Sequence, residues 1–476
     1  MRSWRGSALV FGASAAVLML EIIAGRLMAP YVGVSLESFT GIIGTILAAI
    51  AVGAAVGGSL ADRRDPRRML GPCLVLGGIL SWASLPILAA LGPSADTSPG
   101  AIVVLTAAAF FAPAAVLSAV APMVAKLRLD DLEETGSVVG GLSAAGTAGA
   151  LVGTFLTGFV LVAALPSRPV VLLIGGLLVI AGAVLHRRFA RARPTLAATA
   201  AVLLVGVAAL AFGPSCDEET AYFCVRVEQD PDRPSGRSLY LDLARHAHVD
   251  LDDPTYLDIR YVRLFADVAA TLPDGPLDVL HVGGGGFTFP RHLDAVRAGS
   301  RQLVLEIDDE LPRIARDQLG LRDGPELEIR IGDARLALDD VPSGGYDLIV
   351  GDAFASTSVP WHLTTVEVVD ELRRALRRGG VYVMNVIDGA DNRYARAQVA
   401  TLQHRFAHVA VIVPADGVPE DAAVNQVLIA SDEPLERPAA DPADGELLVG
   451  EEVRRYVDGA RPLRDDHAPV DQLMFG

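Results

Sequence analysis

The chain has 476 residues, of which 51% are hydrophobic and 20% charged, and a formal net charge of −17. This length allows two or three domains, and the three cysteines exclude a disulfide-rich fold. Residues 1–213 carry 14 Lys+Arg and 9 Asp+Glu, about +5, which leaves 26 and 48 of the totals of 40 and 57, about −22, for residues 214–476. An acidic soluble half argues against nucleic acid as a partner.

Residues 1–213 are predicted to form a multi-pass transmembrane domain in a lipid bilayer. Seven stretches are long and apolar enough to cross the bilayer, which takes roughly 20 residues each. They lie at 7–28, 39–61, 69–91, 101–125, 138–165, 170–185 and 196–212, and the last two are short. The first stretch is too long for the apolar region of a cleaved signal peptide, and further spans follow it.

Basic residues alternate between the loops that join these stretches. They cluster at 2–5, 63–68, 126–128 and 187–193, whereas the opposite loops hold only Arg168. The positive-inside rule then predicts a cytoplasmic N-terminus, and seven spans place the soluble half outside the cytoplasm. Cys216 and Cys224 follow the last stretch, and they pair if that region faces an oxidising compartment and stay free if it does not.

Two charged residues, Glu21 and Arg26, fall five residues apart inside the first apolar stretch. Charges inside a membrane are functional candidates by default. A buried structural ion pair explains them as well, and both interpretations stay open.

The acidic half alternates between two kinds of pattern. Residues 214–262 are predicted to form a small β-domain and a connecting helix, because short β-like runs precede apolar residues at helical spacing. Residues 263–476 alternate strand and helix, which predicts an α/β Rossmann-like domain with a parallel sheet. Strands are predicted at 278–282, 302–307, 327–331, 346–352, 380–386, 409–413 and 426–430.

A glycine turn between two predicted strands indicates a site for an adenosine-containing ligand. The stretch Leu277–Asp308 reads as strand, glycine turn, helix and strand, and Gly283–Gly286 allow close backbone approach to a ligand. Glu306, at the end of the second strand, is placed to accept hydrogen bonds from both ribose hydroxyls. Thr288 stands where a dinucleotide fingerprint needs its third glycine, which favours a nucleoside sulfonium over NAD or FAD.

Further carboxylates follow the next two predicted strands, Asp333 after the third and Asp352 after the fourth. Ligands bind beyond the carboxyl ends of strands in parallel sheets, so we expect these residues at one edge with Glu306. Asp333 is placed to accept from an adenine amino group.

Three histidines lie near these positions. His362, in VPWHLTT, follows the Asp352 loop and is a candidate pocket residue. His281 lies inside a strand and is expected in the core, and His292 is expected on a helix surface. No metal-ligand spacing occurs, so no metal is predicted.

With these residues identified, the acidic half resembles the spermidine synthase (polyamine aminopropyltransferase) family, and the whole chain resembles its membrane-fused bacterial branch. The matching motifs are SLYLDLARH, DDPTYLD, HVGGGG, LEID, GDAR, YDLIVGDAF, LTTVEVVDELRRALRRGGVYVMNV and DDHAPVDQL. The resemblance implies a small β-domain before a methyltransferase-like Rossmann domain, in a bacterial inner membrane. It also implies transfer of an aminopropyl group from decarboxylated S-adenosylmethionine to a polyamine, with release of methylthioadenosine and without a metal.

The same resemblance implies roles for the donor-binding residues. The backbone of Gly283, Gly284 and Gly285 would lie against the donor nucleoside. Glu306 would hold its ribose and Asp333 its adenine end.

On the acceptor side, the resemblance makes Asp352 the first residue of the active-site loop. Its carboxylate would orient the attacking amine and help to deprotonate it, because an ammonium group has no lone pair with which to attack. Tyr256 matches a substrate-contacting tyrosine, and Tyr240 and Asp253 lie in matching motifs as further substrate candidates. His246 stands where the family usually has a glutamine and is grouped with the donor-binding residues.

Two departures from the family concern carboxylates. The family's GGGDGG has an aspartate that binds the amine of the aminopropyl donor, and Gly286 stands there. The family's DSSDP loop has a second aspartate, and Ala355 stands at that position.

These departures leave three functions open. The first is a membrane-anchored aminopropyltransferase acting on polyamines, and the second is an S-adenosylmethionine-dependent methyltransferase acting on an amine or lipid. The third is a non-catalytic polyamine or nucleoside sensor or transporter. The sequence does not fix the acceptor or the oligomeric state, and a homodimer stays open.

Overall fold

The computed structural model describes residues 3–129, 135–190, 196–211, 216–354, 359–415, 417, 423–438 and 441–475. The chain divides into two compact units, Met1–Val225 and Arg226–Gly476. Each unit has its own hydrophobic core.

The first unit is helical. Six of its helices are long and apolar enough to cross a membrane: α1 Trp4–Val32, α2 Leu36–Arg63, α3 Pro66–Ser94, α4 Pro99–Arg128, α5 Thr135–Ala164 and α6 Ser167–Arg188. The predicted count of seven spans is therefore wrong. The seventh predicted stretch contains α7, Leu196–Ala211, which is described over 16 residues and is not among these six helices.

Small residues bring the helices of this unit close together. A Cβ added to Gly53 of α2 would lie 2.1 Å from the carbonyl oxygen of Ala115, and one added to Gly149 of α5 would lie 2.2 Å from that of Phe11. Neither position accepts a larger side chain without a shift of backbone. Packing of this kind drives helix association in lipid, where apolar burial alone gives little.

A short β-turn follows α7 in the same unit. Strand β1 (Glu218–Glu219) pairs antiparallel with the start of β2 (Cys224–Gln229). Cys216 and Cys224 form a disulfide across this turn, with 5.3 Å between their Cα atoms.

Glu219 of this turn joins α1 to the start of α6. Its carboxylate accepts from Nε of Arg26 in α1 at 3.0 Å and from the backbone N–H of Ser167 at the start of α6 at 2.9 Å. Arg26, one of the two charges noted in the first apolar stretch, therefore has Glu219 as a carboxylate partner.

The second unit contains the remaining strands and helices. The strands are β3 Gly236–Leu241, β4 Ala244–Asp250, β5 Asp278–Val282, β6 Arg301–Glu306, β7 Leu327–Ile331, β8 Tyr346–Gly351, β9 Leu376–Asp388, β10 His408–Val413, β11 Val424–Ser431 and β12 Glu446–Leu448. The helices are α8 Arg260–Ala270, α9 Thr288–Val296, α10 Leu311–Gln318, α11 Ala334–Ala337, α12 Val366–Ala375, α13 Arg393–Gln403, α14 Glu451–Val457 and α15 Val470–Phe475.

The main sheet has eight strands in the order β12-β10-β11-β9-β8-β5-β6-β7. Strands β5 to β9 are parallel, which confirms the predicted Rossmann-like α/β fold. Strands β10, β11 and β12 run antiparallel to their neighbours, which corrects the predicted all-parallel order. The link 414–423 between β10 and β11 is too short for a crossover, which takes a dozen residues or more.

Apolar cores cover both faces of this sheet, as the apolar strands predicted. On one face α8 and α9 pack against residues such as Val279, Leu348 and Val383. On the other face α12 and α13 pack against residues such as Leu280 and Ile349. The carboxyl ends of β5, β6 and β8 consequently meet at one edge.

Candidate active site

The glycine loop follows β5 and passes directly beside β8. Gly283 has φ +98°, and a Cβ there would lie 2.4 Å from the backbone oxygen of Asp352. Both the left-handed backbone and the close approach require glycine at this position. Gly285 has φ +48° and open space where a Cβ would point, so its backbone is accessible to a ligand.

Glu306 lies under this loop at the end of β6. Its Oε2 accepts from the backbone N–H groups of Gly284 at 2.8 Å and Gly285 at 3.2 Å, and its Oε1 accepts from that of Asp308 at 2.9 Å. The side chain is only 4% exposed, and burial raises its pKa. A carboxylate oxygen has two acceptor positions, so Oε1 keeps one for a further donor such as a ribose hydroxyl.

Asp352, directly after β8, is held from two sides. Tyr261 Oη of α8 donates to its Oδ2 at 3.0 Å, and Asn385 Nδ2 of β9 donates to its Oδ1 at 3.0 Å. Burial raises the pKa of this carboxyl to about 6, although both hydrogen bonds favour the charged form and lower it. Asp352 as a whole residue is half-buried, and its carboxyl has a pKa close to neutral at the carboxyl end of β8.

Neither of the two residues that hold Asp352 was among the candidates predicted from the sequence. Asn385 carries a detectable signal, because it is a polar residue at the end of an otherwise apolar strand. Tyr261 carries none, since it continues the apolar periodicity of α8 and reaches Asp352 only through the tertiary fold. Asn425 was also not predicted, because it too comes close to the site only through the tertiary fold, where its Nδ2 donates to Asn385 Oδ1 at 2.9 Å.

Asp333 and His362 lie beside each other at the same edge. Asp333 Oδ1 accepts from the backbone N–H of Arg335 at 2.7 Å and so caps α11. Its Oδ2 lies 3.1 Å from Nε2 of His362. The residue predicted to bind adenine thus has His362 as its neighbour.

The remaining candidates come from the β-hairpin and the loop after it. Tyr256 Oη donates to Asp258 at 3.3 Å, and the guanidinium of Arg233 lies 3.8 Å from the centre of its ring. Asp253 accepts from the backbone and hydroxyl of Thr255 at 3.0 and 2.6 Å, and these bonds lower its pKa.

Tyr240 and His246 belong to the same hairpin. The Tyr240 ring lies 4.8 Å from the guanidinium carbon of Arg226. The backbone oxygen of His246 lies 3.4 Å from Tyr261 Oη, so Tyr261 connects the hairpin to Asp352.

The position of the family's donor-binding aspartate is closed. A Cβ added to Gly286 would lie 2.4 Å from the Cβ of Ala247 in β4. The next residue, Phe287, has φ +54° and a fully buried side chain. Ala355, the other departure from the family, lies outside the described residues.

Two further histidines are buried. His281 Nε2 lies 2.9 Å from Gln302 Oε1, and burial lowers the pKa of His281 to about 4. His292, expected on a helix surface, is also buried because α9 turns it toward Phe289 and the loop before α8. In the described part of the chain, no cluster of His, Cys, Asp and Glu has the arrangement of a metal site.

Comparison with known proteins places these features in context. No family model matches the chain. A polyamine aminopropyltransferase of Chromobacterium violaceum is 30% identical over 160 residues, which cover 33% of this chain and 60% of the relative. A polyamine aminopropyltransferase of Vibrio vulnificus is 31% identical over 112 residues, which cover 23% of this chain and 38% of the relative.

A crystal structure of a probable spermidine synthase from Corynebacterium glutamicum is 28% identical, with a TM-score of 0.49, and the match covers 53% of this chain and 97% of that one. The chain thus spans 60% and 38% of the length of the two curated relatives. The resemblance to a spermidine synthase-like family, predicted from the motifs, is confirmed.

Proposed function

We propose that this spermidine synthase-like chain is a membrane-anchored aminopropyltransferase. It transfers an aminopropyl group from decarboxylated S-adenosylmethionine to an amine of a polyamine and releases methylthioadenosine. The observation that carries the proposal is Asp352, a half-buried residue whose carboxyl has a pKa of about 6 and lies at the carboxyl end of β8.

The reaction needs a base because a polyamine nitrogen is an ammonium group at neutral pH. A carboxyl with a pKa of about 6 is mostly ionised at pH 7 and still accepts a proton readily. Asp352 takes the proton, and the freed lone pair attacks the aminopropyl carbon next to the sulfonium. The carbon–nitrogen bond forms as the carbon–sulfur bond breaks, and the bonding pair stays on sulfur as the neutral thioether.

The donor nucleoside is assigned to the glycine loop and Glu306. The open backbone of Gly285 faces the ligand side, and Glu306 Oε1 has an acceptor position left for a ribose hydroxyl. His362 beside Asp333 supports placing the adenine end there, since the pair offers both a donor and an acceptor.

One observation favours methyl transfer as the second candidate. In the family, an aspartate balances the positive charge on the amine of the aminopropyl donor. Here Gly286 stands at that position, and the Cβ of Ala247 occupies the space that an aspartate side chain would need. S-adenosylmethionine keeps a carboxylate on its amino acid end, so it depends less on a carboxylate from the protein.

Purified full-length protein with decarboxylated S-adenosylmethionine and putrescine or spermidine tests the proposal. We expect methylthioadenosine release, and its loss by at least about a hundredfold in Asp352→Asn, in line with removal of a general base. The matched control is Asp274→Asn, which changes an exposed loop carboxylate. Absence of methylthioadenosine together with tighter calorimetric binding of S-adenosylmethionine would replace aminopropyl transfer with methyl transfer.

We further propose an orientation for the membrane unit. Arg168, near the start of α6, donates to the carbonyl oxygen of Ala209 near the end of α7 at 2.9 Å, so α7, which is not one of the six long helices, returns the chain to the end at which α6 begins. Arg187 and Arg188 lie at the other end of α6. The positive-inside rule assigns that basic end to the cytoplasm and the Cys216–Cys224 disulfide to the oxidising side.

A further inference from the structure

Tyr261 has one hydroxyl proton and two acceptors within reach. Its Oη lies 3.0 Å from Asp352 Oδ2 and 3.4 Å from the backbone oxygen of His246. The hydroxyl donates to one of them at a time. Burial raises the pKa of Tyr261, so this proton stays on the hydroxyl throughout the neutral range.

A second contact decides which oxygen of Asp352 takes up a proton. Asn425 Nδ2 donates to Asn385 Oδ1 at 2.9 Å, which turns the amide nitrogen of Asn385 toward Asp352. Arg260 in turn donates to the backbone oxygen of Asn425. While Asn385 keeps this orientation, Asp352 Oδ1 receives its N–H, and a new proton on the carboxyl belongs on Oδ2.

The two states of Asp352 can be followed through these contacts. In the ionised state, Oδ1 accepts from Asn385 and Oδ2 accepts from Tyr261. In the neutral state, the Oδ2–H group donates to Tyr261 Oη, and the Tyr261 proton turns to the carbonyl of His246. Each buried N–H or O–H donor of the set has an acceptor in both states, which avoids the cost of an unpaired donor.

We propose that Tyr261 is a positioning residue that works as a hydroxyl switch, letting Asp352 gain and lose a proton on Oδ2 without leaving a hydrogen-bond donor unpaired. This inference rests on the proposed role of Asp352 as the base. Tyr261 was not among the predicted site residues, and the predicted substrate-contacting Tyr256 donates to Asp258 instead of to Asp352.

The titratable and charged groups near Asp352 come from three neighbouring elements. Helix α8 contributes Tyr261, which contacts Asp352 directly, and Arg260, which contacts Asn425. The hairpin contributes His246, whose backbone oxygen lies near Tyr261. From β9 comes Tyr382, whose hydroxyl lies 2.6 Å from the position of a Gly351 Cβ. Burial raises the pKa of Tyr382, so it stays neutral as Asp352 titrates.

An infrared titration of full-length protein tests the switch without any need for turnover. The protonated carboxyl band of Asp352 is identified by its loss in Asp352→Asn and followed from pH 4 to 9. In Tyr261→Phe we expect its midpoint to rise by about one to two pH units, because the variant removes a hydrogen bond to the charged form. The matched control, Tyr346→Phe, changes a buried tyrosine at the opposite end of β8 and should leave the midpoint unchanged.

Asn425→Ser gives a second variant in case Tyr261→Phe is unstable, and we expect a smaller upward shift because Asn385 loses its fixed orientation. If the enzyme is active, we expect the acid limb of the pH profile of kcat/KM to shift by the same amount as the infrared midpoint of Asp352. An unchanged midpoint in a folded Tyr261→Phe variant would overturn the switch. A shifted midpoint in a protein that releases no methylthioadenosine would support the switch and count against the aminopropyl reaction alone.

Discussion

Gly286 and Ala247 show how one contact between a loop and a strand restricts the choice of residue. We expect Gly286→Ala to lower the free energy of unfolding by about 1–3 kcal/mol, because its Cβ would lie 2.4 Å from that of Ala247. Gly389→Ala is the matched control, since a Cβ there meets no atom within 4 Å. Denaturant unfolding in detergent measures both, and equal effects would contradict the steric account.

The raised pKa of Asp352 predicts that the contribution of this residue to stability falls as the pH rises. Its folded pKa of about 6 lies above the ordinary 3.8, so the folded state holds this proton more tightly than the unfolded state. The contribution of Asp352 to stability therefore falls as pH rises from about 4 to 6 and amounts to a cost of about 3 kcal/mol above that range.

Asp352→Asn removes this cost while keeping the side chain close in size. We expect its Tm to exceed that of the wild type at pH 8 and to match it near pH 4, and thermal unfolding in detergent measures both. A variant that is less stable than wild type at pH 8 would contradict the raised pKa. Asp274→Asn should show no difference at either pH.

The site residues that lie at the ends of strands were predictable from the sequence. Gly283, Glu306 and Asp352 each lie at the carboxyl end of a strand with a clear apolar pattern, and the parallel order brings those ends together. Tyr261 and Asn425 were not predictable, because they approach Asp352 from a helix and from an antiparallel strand. No local pattern encodes that approach.

At the scale of elements, the glycine loop ends in a strained residue. Phe287 has φ +54°, where non-glycine residues are unfavourable by about 1–2 kcal/mol, and its ring is fully buried. Loss of a buried phenylalanine costs about 3–5 kcal/mol. The ring therefore outweighs the strain and holds the loop against the start of α9.

Phe287→Gly relieves the backbone and removes the ring, so we expect a net loss of roughly 2–3 kcal/mol in the free energy of unfolding. Asp458→Gly is the contrasting variant, because Asp458 has φ +46° and an exposed side chain. It should gain up to about 1 kcal/mol. A stabilised Phe287→Gly variant would show that the ring contributes less than the strain.

Element patterns also explain which parts of the fold were predictable. The five parallel strands alternate with clear helical patterns, and their order follows from that alternation. The direction of β10 and β11 was predicted wrongly as parallel, because strand patterns alone do not encode direction. The short link between the two strands is the feature of the sequence that indicates an antiparallel pair.

At the scale of the whole molecule, the proposed orientation predicts where the C-terminal unit lies. We expect alkaline phosphatase fused after residue 476 to be active in bacterial cells and green fluorescent protein at the same site to be dark. Fusions after Arg128, at the basic end of α4, should give the opposite result. Fluorescence at residue 476, with Cys216 and Cys224 open to alkylation in intact cells, would reverse the orientation.

The position of Glu219 has a consequence for the order in which the first unit assembles. Its carboxylate accepts from Arg26, 193 residues earlier in the chain, and from Ser167, 52 residues earlier. Synthesis starts at the N-terminus, so the Arg26 charge gains this partner only after the whole helical unit has been made. The turn that carries Glu219 is therefore the last part of that unit to come into place.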